Sequence, residues 1–292
     1  MASSSRIVAL TLAAATAVAV AGCAPQDDGK TTTTASPTGA AAASCAKDSL
    51  PTRTPGKLTI ATDEPAYEPW FRENKPENGE GFEAAVAYAV AEQLGYARED
   101  VTWTRVKFDT AIAPGPKSFD FDVNQFSITE ERKRAVDFSA PYYRVRQTVI
   151  ALKSSKIAGA KTLADLKDAT LGAQVGTTSY QAITDVIKPT PKPQVYNSND
   201  DAKKALQNGQ LDGLVVDLPT AFYITGAELT DATIVGQLPQ VGAPEAFGLL
   251  LDKNSRLTPC LDAAVGKLEE AGTLKQLEQK WLAQVAGATE LT

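Results

Sequence analysis

The most constraining feature of this 292-residue chain is an alternation of short apolar runs with segments of helical periodicity, sustained from residue 58 to residue 285. Residues 58–61, 101–103, 121–126, 147–152, 171–175, 194–196, 211–216 and 247–251 have the length and apolar content of buried strands. Between the first two, Phe82, Ala85, Val86, Ala89, Val90 and Leu94 share one helical face, and Gly95 ends that helix. A short helix over 109–113 stops at Pro114 and Pro116, and further helices are expected over 162–167 and 179–187. Ser198, with Asp201 three residues on, opens a helix through Leu206 in the manner of a capping box. Another helix starts at Pro219, and two more cover 257–271 and 273–285. Parallel neighbours need a crossover between them, so this alternation predicts an α/β fold with mainly parallel sheets.

The N-terminus carries a different signal. Arg6 precedes an apolar run over 7–21, shorter than the roughly 20 residues a membrane span needs, so it reads as a secretory signal. Val20-Ala21-Gly22-Cys23 resembles a bacterial lipobox, in which Cys23 becomes the lipidated first residue; ordinary cleavage beside a chance cysteine is the alternative. Residues 24–43 are rich in Thr, Ala, Ser and Gly with almost no large apolar side chain, the composition of a flexible tether. In an exported protein the remaining Cys45 and Cys260 can form one disulfide, closing a loop of about 215 residues, for which chain entropy gives an upper figure of about 5 kcal/mol. That bridge would set the C-terminal helices on the first α/β unit and leave the middle series as a separate lobe. The expected organisation is a signal peptide over 1–22, lipidated cysteine and tether over 23–56, lobe 1 from 57–148 plus 243–292, and lobe 2 from 149–242. The chain has no histidine, which removes His-based metal sites, His general bases and Ser-His or Cys-His nucleophiles. A formal net charge of −6 with no basic cluster argues against a nucleic-acid partner.

The most specific stretch runs Ser127-Ile128-Thr129-Glu130-Glu131-Arg132-Lys133-Arg134-Ala135-Val136-Asp137-Phe138-Ser139-Ala140-Pro141-Tyr142-Tyr143. It resembles the signature of the polar amino-acid solute-binding proteins of ABC importers, solute-binding family 3. Ala61-Thr62-Asp63 with Tyr67-Glu68-Pro69-Trp70, Gly81-Phe82-Glu83, Gly176-Thr177-Thr178 and Phe247-Gly248-Leu249 match in order, so the resemblance covers nearly all of 57–285. It implies a two-lobe periplasmic-binding-protein-like fold, each lobe a mainly parallel sheet flanked by helices and joined to the other by two crossing segments. It further implies capture of a free polar α-amino acid by hinge closure, with no catalysis, cofactor or metal. The expected partners are an ABC permease and ATPase, with membrane contact through the lipid anchor alone on the outer face of the cytoplasmic membrane, and the expected state is a monomer. An enzyme on the same scaffold (a dehydratase or lyase, with Glu64, Glu83 or Glu245 as its acid) and a ligand-sensing receptor subunit are the alternatives.

A zwitterion taken out of water needs a cation for its carboxylate and an anion for its ammonium. The resemblance gives the first role to Arg132, whose planar fork suits a carboxylate; by composition alone, its charged neighbours describe a solvated arginine. Ser127 reads as a helix cap with Glu130 completing a box, and the resemblance makes it a ligand contact as well, the two roles being compatible through different lone pairs. Thr177 and Thr178, between a strand and a helix, would meet the carboxylate from the other lobe or merely cap the helix. Asp217 ends a strand, and would hold the ammonium or cap the helix from Pro219. Asp63, Tyr67, Trp70 and Phe108 match family positions lining the first lobe's face of the cleft, with core packing the alternative for the aromatics. Asn124 and Gln125 stand where the family has small residues, and Gln174 is neutral where some relatives place a cation. Glu83 is expected to serve its own helix N-terminus. Asp63 and Glu83 favour a basic or amide ligand side chain, whereas Arg105, Arg144 or Arg146 could reach an acidic one.

Overall fold

The computed structural model describes residues 45–282 and 287–292. The expected signal peptide, the Cys23 lipidation site and the tether as far as residue 44 lie outside the described residues. The strands are β1 (Leu58–Thr62), β2 (Val101–Arg105), β3 (Phe121–Asp122), β4 (Asp137–Arg144), β5 (Gln147–Leu152), β6 (Leu171–Gln174), β7 (Gln194–Tyr196), β8 (Gly213–Asp217), β9 (Ala232–Gln237) and β10 (Ala246–Leu251). The α-helices are α1 (Phe82–Gln93), α2 (Phe108–Ile112), α3 (Thr178–Ala182), α4 (Asn199–Gln207), α5 (Leu218–Tyr223), α6 (Thr258–Glu270) and α7 (Thr273–Trp281).

Two five-stranded sheets form, in the orders β2-β1-β3-β10-β4 and β7-β6-β8-β5-β9. Each is parallel over three strands, through β1 in the first and β6 in the second. Each turns antiparallel at the strands that carry the chain to or from the other lobe, β10 with β4 and β5 with β9. The sheets are therefore mixed rather than mainly parallel. The chain passes between lobes at Val145–Arg146 and again over residues 238–245.

The strands β4 and β9 have no counterpart in the sequence reading. β4 contains Pro141, which removes a ladder donor, and it is tolerated because β4 lies at the sheet edge with irregular register against β10. The run expected as a strand over 121–126 pairs over Phe121–Asp122 only, and Gln125 beyond it takes a left-handed φ of 47°. At the head of α1, Gly81 has φ 99°, and a Cβ there would lie 2.4 Å from the Trp70 carbonyl oxygen. A glycine is the residue that lets the 67–71 loop close onto α1. Val86, Val90, Phe82 and Ala87 of α1 are fully buried against the first sheet's core, which also holds Val265 of α6 and Leu274 of α7.

The folded body begins earlier than the expected boundary at residue 57. Cys45 is bonded to Cys260 with the Cα atoms 5.4 Å apart, Leu50 is buried in the first core, and Lys47 pairs with Asp100. The end of the chain departs from the expectation as well, which assigned 243–292 wholly to lobe 1. Leu291 is buried in the second lobe's core, its N–H donates to the Gln237 carbonyl, and the Leu163 N–H donates to the carbonyl of Thr292. Thiol titration of the denatured, unreduced protein is expected to find no free sulfhydryl at Cys45 or Cys260. Cys260→Ala should lower the unfolding free energy by about 2–5 kcal/mol in denaturant titration, and an unchanged midpoint would show the bridge to be dispensable.

Candidate ligand-binding site

The carboxyl ends of the parallel strands in both sheets meet at one cavity. Asp63 follows β1, Asn124 and Gln125 follow β3, Gln174 ends β6, and Asp217 ends β8, all lining a space of about 520 Å³ counting its mouth. Tyr67, Phe108 and Arg132 line it from the first lobe, and Thr177, Thr178, Ser179, Asn199, Val216 and Thr220 from the second. Ser179, Asn199, Val216 and Thr220 carry no distinctive signal in the sequence: Val216 reads as one more apolar strand residue, and the others are polar residues in the first turns of α3, α4 and α5.

Arg132 opens a single 3₁₀ turn, its backbone N–H held at 3.1 Å by the Thr129 hydroxyl. Its neighbours Glu130, Glu131, Lys133 and Arg134 are exposed, yet Arg132 itself is 8% exposed. Nη1 donates to the Ser127 carbonyl at 2.7 Å, and Nη2 crosses the cleft to the Gly176 carbonyl at 2.9 Å. The guanidinium carbon lies 5.3 Å from the ring centroid of Phe108, which stacks on Phe126 at 4.9 Å. Burial lowers the Arg132 pKa to about 10, opposed by the charges of Glu245 and Asp217, so it remains a cation at neutral pH.

Asp217 makes no capping bond to α5; its Oδ1 instead accepts from Gln147 Nε2 at 2.8 Å. The same amide nitrogen donates to Glu245 at 3.1 Å, and Gln147 Oε1 accepts from the Ser179 hydroxyl at 2.7 Å. Burial holds the Asp217 carboxyl well above its ordinary pKa, Glu245 adds to this, and the Gln147 bond opposes it. Ser127 lies behind the lining rather than in it. Its hydroxyl donates to Glu245 at 2.6 Å and sits 3.2 Å from Thr178 Oγ1, and no capping box forms with Glu130, which pairs with Lys133. Thr177 caps α3, its Oγ1 accepting from the Tyr180 N–H at 3.2 Å.

Trp70 is fully buried and does not line the cavity. It packs edge-on against Phe82, Tyr143 and Phe247, and its Nε1 reaches the second lobe's Thr220 hydroxyl at 3.0 Å. Asp63 accepts from the backbone N–H groups of Glu64 and Phe108, while burial raises its pKa. Tyr67 has its phenol pushed upward by burial. Arg105 is committed to the Asp63 carbonyl and to Asn74, and Arg146 to the Leu238 carbonyl and Glu290; neither they nor Arg144 line the cavity.

Glu83 does not serve its own helix. It is fully buried, its Oε1 accepts from the Gln125 N–H at 2.8 Å and from the Tyr142 hydroxyl, and its Oε2 accepts from Gln125 Nε2. Burial raises its pKa to about 7 against the pull of those bonds. Asp122 beside it is fully buried with no hydrogen bond to either carboxyl oxygen, and burial with the charges of Asp63 and Glu83 holds its pKa well up. Glu64, Glu83 and Glu245, the acids an enzyme would draw on, are absent from the cavity lining among the described residues.

Comparison with known proteins places this geometry. The model of the bacterial extracellular solute-binding proteins, family 3, matches residues 58–284. The chain belongs to that family. It is 31% identical over 213 residues to the ABC transporter arginine-binding protein 1 of Escherichia coli K12, covering 70% of this chain and 82% of that protein. Among solved structures, an ancestral arginine-binding protein bound to glutamine matches with a TM-score of 0.65 at 30% identity, over 78% of this chain and 98% of that one. The ancestral amino acid-binding protein AncCDT-1, a precursor of cyclohexadienyl dehydratase, matches with a TM-score of 0.63 at 30% identity, over 77% of this chain and 95% of that one. These neighbours share the two-lobe fold found here.

Native Glu83 keeps its proton up to about pH 7, whereas an unfolded glutamate loses it near 4.5. Its contribution is therefore complete below the lower value and is lost as pH rises through the upper one, as for the other raised carboxyls Asp122 and Asp217. Glu83→Gln should remove a share on the order of 3 kcal/mol across that interval, so thermal midpoints of the unligated variant fall less steeply with pH. Identical slopes would contradict the buried titration.

Proposed function

We propose that this family member is the receptor of an amino-acid ABC importer and captures a free α-amino acid with a cationic side chain, arginine foremost. The observation that carries this reading is the charge of the cavity lining, where Asp63 and Asp217 face the single cation Arg132 among the described residues. Arg132 serves the ligand's α-carboxylate, helped by the N-terminal N–H groups of α3 at Thr178, and Asp217 serves the α-ammonium. Asp63 then remains for a positively charged side chain. Of the arginines that could have met an acidic side chain, Arg105 and Arg146 are bound elsewhere, and Arg144 does not line the cavity. The relative named as an arginine-binding protein supports the same class of ligand.

Hydrogen bonds from Arg132 to Gly176, from Trp70 to Thr220 and between Ser127 and Thr178 cross the cleft, and each joins groups that a hinge opening would separate. A ligand gripped from both lobes stabilises this closed arrangement through its greater affinity for it. The chain is held at the outer face of the membrane by lipidated Cys23 and delivers its ligand, as a monomer, to a permease and ATPase. The relatives named as amino-acid-binding proteins support binding rather than turnover.

A thermal-shift screen over the twenty amino acids should single out arginine, with lysine and glutamine weaker. Arg132→Ala should weaken arginine at least about tenfold by calorimetry, because it leaves a desolvated carboxylate unpaired. Unchanged affinity would refute the assignment. Cys23→Ala should move the protein from the membrane fraction to the soluble one, and retention in the membrane would refute the lipid anchor.

A further inference from the structure

Gln125 occupies a backbone conformation that glycine usually supplies, with φ 47°, in the lining of the cavity. Its neighbours explain how a long side chain is held there. Both of its donor nitrogens, the backbone N and the side-chain Nε2, bond to the buried Glu83 carboxylate, whose Oε1 also accepts from the Tyr142 hydroxyl. Above about pH 7 this carboxyl is ionised and only accepts, so there the planar amide cannot turn over without facing oxygen against oxygen. The amide oxygen Oε1 is thereby left pointing away from Glu83, and it has no hydrogen-bond partner among the described residues.

We infer that Glu83 is a specificity-positioning residue, which fixes the Gln125 amide so that the cavity meets the ligand side chain with a hydrogen-bond acceptor. The inference rests on the cationic amino-acid reading and deepens it. A guanidinium or ammonium side chain brings donors alone and matches an acceptor held in one orientation. A ligand amide carries both a donor and an acceptor and accommodates either orientation of Gln125. The device therefore selects for cationic over amide side chains, and its position on α1 explains why a residue outside the lining influences the choice.

The test is calorimetry at pH 8, where Glu83 with its pKa of about 7 is ionised, with L-arginine and L-glutamine as ligands. In Glu83→Gln the new amide can donate to Gln125 Oε1 and turn it away from the cavity. Arginine should then weaken at least about tenfold, as for a lost hydrogen bond to a charged group, while glutamine changes less than about threefold. Gln125→Gly keeps the left-handed backbone, removes the amide and decides the matter if Glu83→Gln fails to fold; the same loss of preference is expected. Equal weakening of both ligands, or an unchanged ratio of affinities, in a folded variant overturns the inference and leaves the receptor assignment standing. Wild-type protein that binds neither amino acid overturns the receptor assignment, and this inference with it.

Discussion

The site depends on a buried arginine that must be satisfied from both lobes. A guanidinium withdrawn from water is tolerated only where acceptors surround it, and one lobe does not supply them all. Arg132 takes the Ser127 carbonyl beneath it and the Gly176 carbonyl across the cleft, with the charges of Glu245 and Asp217 nearby. The ring of Phe108, itself stacked on Phe126, keeps the charge from water on a further side. Each of these groups sits where a strand ends or a crossing segment passes, so the position of one cation ties together the ends of elements distant in sequence.

The Gln147 amide is the second junction. Its nitrogen donates to Asp217 and to Glu245, and its oxygen accepts from Ser179, so one neutral side chain separates two carboxylates and holds both. Glu245 comes from the second crossing segment and also accepts from Ser127 of the first lobe. Asp217, the carboxylate proposed for the ligand's ammonium, is thus linked through one amide to the connection between the lobes. Removing Gln147 would leave two acidic groups facing each other without a shared donor, a larger disturbance than its position outside the cavity lining suggests.

Much of this architecture was legible because the local rules agree. The 3.6-residue pattern marks α1, the Ser198 cap marks α4, and strands that end in Gln174 and Asp217 or just before Asp63 place those residues at one edge. What escaped was decided by tertiary context. Pro141 disguised an edge strand, and a left-handed Gln125 broke an apolar run that reads as a longer one. The charged neighbours of Arg132 describe the surface of a turn and say nothing of its one inward side chain. Trp70 matched a position in the cleft wall, but its indole packs among three aromatic rings behind it, which composition does not distinguish. Glu83 looked like a helix-terminus acid because its true partners, Gln125 and Tyr142, lie 42 and 59 residues away.

The end of the chain adds a constraint on any movement between the lobes. Helix α7 packs on the first lobe, yet Leu291 is buried in the second, so the described end of the chain contributes to both cores. Near that return, Arg146 of the first crossing holds both the Leu238 carbonyl and Glu290, and the Gln237 N–H donates to Thr289. These bonds fasten the second-lobe ends of both crossing segments to each other and to the tail. A rotation of one lobe on the other must then be absorbed nearer the first lobe, around Val145 and between Leu238 and Glu245. Glu245 lies at that end, bonded to Ser127 and Gln147, so a rotation absorbed there would act on a segment that also carries a carboxylate to the back of the site.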